Sequence, residues 1–249
     1  FSMRRLVILF LSLYSSLFAC AQVGEHRSTF SVGVNGGYVL SSVGFDPKVS
    51  QSYHGGAVAG LSWRYTCEKY FKTICSIYGE ISYASLGWKQ DIVTSSGAPV
   101  VNANGQQESY SRTINYVQAP ILAHLAWGRE ESGGNFFVEL GPQFGLYLSE
   151  STSKSYDSPN LSTDETGRSN TIVPQESMPV EKKLDYGITA GIGFEWSQPK
   201  VGHFLLTARY YYGLGNIYGS TKKDYFGKSN LSNISVKLTY LFDLVKNNN

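Results

Sequence analysis

The chain has 249 residues, 42% hydrophobic, 14% aromatic and 16% charged, with a net charge of +2. A charged share below the roughly 25% of an average soluble domain means that something other than solvated charge covers the surface, and so small a net charge argues against a nucleic-acid partner. With 18 Tyr, 13 Phe and 26 Gly, the mixture suits strands, turns and interfacial belts rather than helices.

The chain opens with a basic start at Met3-Arg4-Arg5, an apolar run from Leu6 to Leu13, and small residues at Ala19-Cys20-Ala21 before Gln22. Residues 1–21 therefore read as a signal peptide for export. Leu17-Phe18-Ala19-Cys20 also resembles a lipoprotein box, in which Cys20 would be lipidated, although the small-residue cleavage site explains the same letters. The apolar run is shorter than the roughly 20 residues of a spanning helix, and no later stretch comes close. A helical membrane protein is excluded.

From Phe30 onward, eight stretches are apolar at every second residue. The apolar sets are Phe30 to Leu40, Ala57 to Tyr65, then Ile77, Ile81 and Tyr83 in a less clean third strand. Val117 to Trp127, Phe136 to Leu148, Tyr186 to Trp196, Phe204 to Leu214 and Ile234 to Phe242 follow. None of these sets carries a charge. The alternate positions hold nearly every ionisable residue of the strands: Arg64, Glu80, Glu139, Asp185, Glu195, Arg209 and Lys237. Apolar out and polar in is the phase of a barrel in lipid, and a soluble lipocalin-like barrel would show the reverse. Hydrocarbon leaves no backbone group unpaired, so such a sheet must close. The expected fold is all-β: a closed eight-stranded antiparallel transmembrane up-and-down β-barrel over residues 28–242, followed by a periplasmic tail over 243–249.

Connections 67–72, 128–133 and 197–202 are brief, whereas 41–54, 87–111, 149–182 and 215–229 are long and polar. Short turns face the periplasm in such barrels, so the long segments lie outside and both termini inside. Trp63, Trp127 and Trp196 fall in the lipid-facing phase beside the short turns, and with Tyr65, Tyr240 and Phe242 they form a periplasmic aromatic girdle. Trp88 has the opposite phase, which predicts that the third strand ends or bulges before it.

Eight strands enclose just enough room for side chains, so no open pore is expected. The inward charges must pair once removed from water, and they read as a network that plugs and specifies the barrel. A proton or ion path is the alternative, and it needs a continuous wet track.

Tyr116-Val117-Gln118-Ala119-Pro120-Ile121-Leu122, the run from Phe137 to Gly145, Ala208 to Leu214 with Asn216, and Val236 to Phe242 resemble the PorT-type outer-membrane β-barrel family of Gram-negative bacteria. These porin-like strand motifs span most of residues 28–242. The resemblance implies the barrel fold and, through the family's namesake, an association with a protein secretion apparatus and surface export. Members commonly carry Glu where this chain has Gln118, so one inward charge is missing here.

Catalysis is the rival reading, since some eight-stranded outer-membrane barrels hydrolyse or acylate lipid A with a His, a Ser and an acid. His26 precedes the barrel, His203 sits at a periplasmic turn, and His124 reads as a buried, hydrogen-bonded residue. His54 beside Ser52 is the remaining candidate pair. Cys67 and Cys75 flank a periplasmic turn, where the oxidising compartment admits a disulfide clasp. Asp157, Asp164 and Glu165 lack calcium-loop spacing, and no cofactor or metal is expected. Expected partners are outer-membrane lipid and lipopolysaccharide, the barrel-assembly machinery that would read Tyr240-Leu241-Phe242, and envelope or secretion proteins meeting loops 87–111 and 149–182. The protein reads as a non-enzymatic anchor and interaction scaffold in the outer membrane.

Overall fold

The structure, a computed structural model, describes residues 24–49, 51–94, 96–101, 105–129, 132–155, 178–221 and 224–247. The signal segment, the Cys20 alternative, and Asp157, Asp164 and Glu165 lie outside them. Eight strands follow in chain order: β1 (Glu25–Asp46), β2 (Ser52–Tyr70), β3 (Thr73–Asp91), β4 (Ser109–Gly128), β5 (Gly133–Lys154), β6 (Leu184–Gln198), β7 (Gly202–Gly213) and β8 (Lys228–Asn247). Each pairs antiparallel with the next, and β1 pairs β8 from Ser28↔Asn247 to Asp46↔Lys228. The ring is closed, which leaves no strand edge for lipid to meet.

The period-two pattern sets the faces. Leu61, Ile81, Leu140, Ile192 and Leu238 on the outside are each more than half exposed, whereas Glu80, Glu139, Glu195, Arg209 and Lys237 inside are nearly inaccessible. The short connections gather at one end with both chain ends. One is the two-residue turn Phe71-Lys72, and another, at 199–201, is followed by Gly202 with φ of 124°, a left-handed backbone that favours glycine. This end is the periplasmic one by the short-turn rule.

Several strands outrun their apolar bands. Residues 41–46, 87–91, 109–111 and 149–154, expected in outer loops, continue the ladders. Backbone pairing needs no lipid, so a ladder extends into water wherever its neighbour is also extended, and polar residues there carry no signal of it. The expected tail is corrected for the same reason: residues 243–247 belong to β8 and face β1 (Ser31↔Asp243, Thr29↔Lys246). His26, expected before the barrel, lies in β1 opposite Glu68. β3 does not end before Trp88, which keeps the inward phase, pairs with Arg112 and is wholly buried, although the β2–β3 register does shift just before it, between Val58↔Ala84 and Tyr53↔Trp88.

Two apolar clusters flank the charged middle. The larger, under the outer loops, packs Phe45, Trp88, Tyr110, Tyr218 and Phe226 among aliphatic residues. The smaller contains Tyr78, Leu122, Phe137, Leu205 and Leu241.

Candidate functional site

The inward charges meet because strands far apart in sequence face one another across a narrow lumen. Arg209 of β7 is the hub. Its Nε and Nη2 both donate to Glu139, the latter at 3.1 Å, and its Nη1 lies 2.8 Å from Glu80 Oε1. Lys237 Nζ donates to Glu80 Oε2, and the Tyr78 hydroxyl donates to Glu80 Oε1 at 2.8 Å. The guanidinium also sits 5.2 Å from the Tyr78 ring centroid, a cation–π contact. Gly191 makes the arrangement feasible: a Cβ there would come within 2.8 Å of both Arg209 Cγ and Glu139 Oε1.

A second chain of contacts lies nearer the periplasm. Arg64 Nη1 donates to Glu195 Oε2 at 2.7 Å, and the Ser197 hydroxyl donates to Glu195 Oε1 at 3.0 Å. His203 Nδ1 lies 2.8 Å from Glu195 Oε1, while its Nε2 lies 3.2 Å from Asp243 Oδ1. Asp243 in turn accepts from the Ser31 hydroxyl at 2.6 Å, across the β1–β8 seam. Between the two groups sits His124, its ring 3.8 Å from Glu139 and 3.9 Å from Glu195. Phe137 and Tyr78 flank that ring at 4.5 and 6.0 Å between centroids. His124 is buried, and its two ring nitrogens face the carboxylates of Glu139 and Glu195 from just beyond ordinary hydrogen-bond distance, while those carboxylates are held by arginines.

Six of the seven expected lumen charges thus form ion pairs, with Glu80, Glu139 and Glu195 balanced by Arg64, Arg209 and Lys237. Asp185 stands apart, accepting from the Tyr211 hydroxyl at 2.7 Å. Sequence reasoning missed His203 and Asp243, which were assigned to a turn and a tail. It also missed Arg112, which donates to Glu150 at 2.6 Å and to the Tyr218 hydroxyl at 3.0 Å beneath the outer loops. Its inward parity with Tyr116 was the available signal.

A cavity of about 730 Å³ opens at the periplasmic end, bordered by Arg64, His124, Asn135, Glu195, His203 and Asp243, with Lys200 and Lys246 also on its wall. Deeper in, beside Glu80, Arg209 and Lys237, only about 10 Å³ of space remains. On the outside, Trp127 stacks near Phe136 at 6.5 Å, and Phe204, Tyr240 and Phe242 follow one another at 5.1 and 6.5 Å. Trp196 is half exposed to the surroundings. Trp63 covers Gly79, and Tyr65 lies 3.4 Å from the Ser28 hydroxyl.

Two pairings read from sequence are corrected. Cys67 and Cys75 are free thiols, because the β2–β3 register shifts between Thr66 and Glu68 and sets Glu68, not Cys67, opposite Cys75. Ser52 donates to Asp91 at 2.9 Å rather than meeting His54. His54 instead lies near two hydroxyls of β4, Ser111 at 3.4 Å and Thr113 at 3.3 Å. Among the described residues no group of three His, Cys, Asp or Glu side chains is placed to hold a metal ion.

A sequence profile of the outer membrane protein β-barrel domain matches residues 20–219. The chain belongs to that family. As a member of the outer membrane protein β-barrel family, it is an integral outer-membrane protein whose apolar band meets lipid and whose charges are turned inward. Solved structures similar to it include Ail, the attachment invasion locus protein of Yersinia pestis, at 14% identity and a TM-score of 0.35, covering 85% of this chain and 98% of that one. Neisserial surface protein A is similar at 12% identity and a TM-score of 0.39, covering 86% of this chain and 97% of that one. OprG of Pseudomonas aeruginosa is similar at 10% identity and a TM-score of 0.39, covering 88% of this chain and 98% of that one. No curated protein matches the chain.

Proposed function

We propose that this outer-membrane barrel acts without chemistry of its own, as an anchor and interaction scaffold. Its outer loops would meet another envelope protein or a glycan, in association with a secretion or surface-export system of the kind that the PorT-type resemblance implies. One observation carries the reading: the Arg209 ion-pair hub closes the middle of the interior and the Trp88 cluster packs it under the loops, so no open route crosses the barrel and its end surfaces remain free to act. Against catalysis, both nitrogens of His54 face hydroxyls, and a hydrolytic triad needs a carboxylate to orient the base. The outward band meets lipid and lipopolysaccharide, and the aromatic end of β8 serves as the signal for the barrel-assembly machinery.

The test is affinity purification of the barrel from detergent-solubilised outer membrane. Recovery of secretion components supports the scaffold reading, and recovery of the barrel alone overturns it. A second reading, a gated solute path, is favoured by the 730 Å³ cavity that leads inward from the periplasm. Single-channel conductance in a planar bilayer supports that path, and an electrically silent barrel removes it for ions. Lipid A that is identical in wild type and deletion strains removes the enzymatic reading.

A further inference from the structure

We infer that the outward wall of β3, β4 and β5 above the lipid is a docking surface for the sugar part of an outer-leaflet glycolipid. This docking rests on the reading in which the barrel stands among lipopolysaccharide, and it is independent of any secretion role. The register stacks three rungs on the outer face: Ser85, Asn115 and Ser149, then Gly87, Thr113 and Ser151, then Lys89, Ser111 and Ser153. The residues that alternate with them, such as Leu86 and Ile114, are buried inside. Directly below the rungs the same face holds Tyr83, Val117 and Leu146, with Tyr83 and Leu146 about half exposed to lipid. Apolar gives way to polar within one step of the ladder, which places the edge of the hydrocarbon there. The rungs continue the lipid-facing surface outward, so they lie against whatever surrounds the barrel just beyond the acyl chains. In lipopolysaccharide that layer is sugar.

The chemistry of this wall fits sugar. Ser149, Ser151 and Ser153 are exposed, and each hydroxyl can both donate and accept, as saccharide hydroxyls do. β4 is paired on both sides, so its backbone is engaged and its side chains alone are on offer. Asn115 donates to Ser149 at 3.0 Å, and the His54 ring lies 3.4 Å from the Ser111 hydroxyl and 3.3 Å from that of Thr113, contacts that hold these groups in place. The charges on the upper rim, Lys89 and Asp91, are 3.4 Å apart and offset one another, so the wall does not select for phosphate. Nor do the three rungs hold an aromatic or aliphatic anchor of the kind that protein partners use. From residue 115 to residue 111 the wall rises about 13 Å, and three strands make it about 10 Å wide, the scale of a short oligosaccharide. The surface is one-sided. β6 begins at Leu184, opposite Leu146, so beyond β5 the paired wall stops at the level where the rungs begin.

The test places the full barrel in phospholipid nanodiscs that contain either lipopolysaccharide with its core oligosaccharide or lipid A alone. The readouts are NMR contacts between the Thr113 methyl group and sugar protons, and the amount of each glycolipid that stays with the barrel in mild detergent. Thr113 is expected to meet sugar protons only in the first disc, and lipopolysaccharide to stay bound better than lipid A. The Ser111→Ala/Ser151→Ala/Ser153→Ala variant, checked for folding by its electrophoretic mobility without heating, is expected to hold lipopolysaccharide about tenfold more weakly and lipid A as before. Equal retention of the two glycolipids overturns the inference while leaving the lipid-facing band intact, and so does a variant that retains both unchanged. Thr113 contacts that come from a second barrel, detected by mixing differently labelled copies, overturn it as well, because the wall would then join copies of the chain. Loss of both glycolipids from the wild type removes the lipopolysaccharide reading and the docking with it.

Discussion

At the outer end of the barrel interior, Phe45, Trp88, Tyr110, Tyr218 and Phe226 pack ring against ring, with Phe45 and Phe226 centroids 4.7 Å apart. At the periplasmic end β2, β6, β7 and β8 present Arg64, Glu195, His203 and Asp243 around a cavity of about 730 Å³. The ion pairs of the two halves look alike on a contact diagram, but their surroundings differ. Arg209, Glu80 and Lys237 border only about 10 Å³ of free space, so these groups and Glu139 compensate one another's charge. Arg64 and Glu195 border space that water can enter. A dry ion pair is costly to break and a wet one is not.

The sharpest way to break this comparison is Arg209→Met, which strips Glu80 and Glu139 of their shared cation in the dry middle. The expected loss is about 3–5 kcal/mol of unfolding free energy, measured by urea denaturation of the detergent-folded barrel. A loss near that of an exposed pair would show that water reaches the hub. Trp88→Ala should cost about 3 kcal/mol through the cavity it leaves in the outer cluster. It should nevertheless produce no bilayer conductance, because the Arg209 level beneath stays shut; channel openings in this variant would place the only seal at the outer end.

Glu195→Gln sharpens the contrast from the wet side. It keeps the shape and removes one charge, and water in the cavity solvates the Arg64 left behind, so about 1–2 kcal/mol is expected. The matching Glu80→Gln should cost clearly more, and equal losses would remove the distinction between the two ends. The smallest effect belongs to the exposed loop between β7 and β8. There the Thr221 backbone amide and hydroxyl both donate to Asp224 at 2.6 Å and hold its carboxyl below the ordinary range. A lowered folded value means that this contribution is complete above about pH 4 and is lost as the pH falls through that lowered value. Hydrogen exchange at the Thr221 amide should therefore quicken only in acid, with global unfolding unchanged; constant exchange down to low pH would show that the contact orders nothing.

The face of each strand was legible because lipid and lumen impose opposite rules on neighbouring residues. Leu140 and Glu139 are adjacent, yet one is more than half exposed and the other is buried in an ion pair. Strand length was not legible, since residues such as Ser149 and Glu150 read as loop until Ser149 pairs with Asn115 and Glu150 with Ile114. Trp88 raised a related difficulty: its phase already pointed inward, but only its pairing with Arg112 and its burial show that β3 runs on through it.

By itself the sequence determined that the chain closes into a lipid-facing barrel with its charges inside, because period-two alternation and the exclusion of charge from hydrocarbon are local rules. Which charges meet was decided by the tertiary structure alone. Arg209 finds Glu80 and Glu139, and Ser31 finds Asp243, only when β8 closes against β1 and sets the register around the ring. The periplasmic cavity has the same origin, since its volume is what side chains from several separate strands leave unfilled, and no stretch of sequence encodes a space.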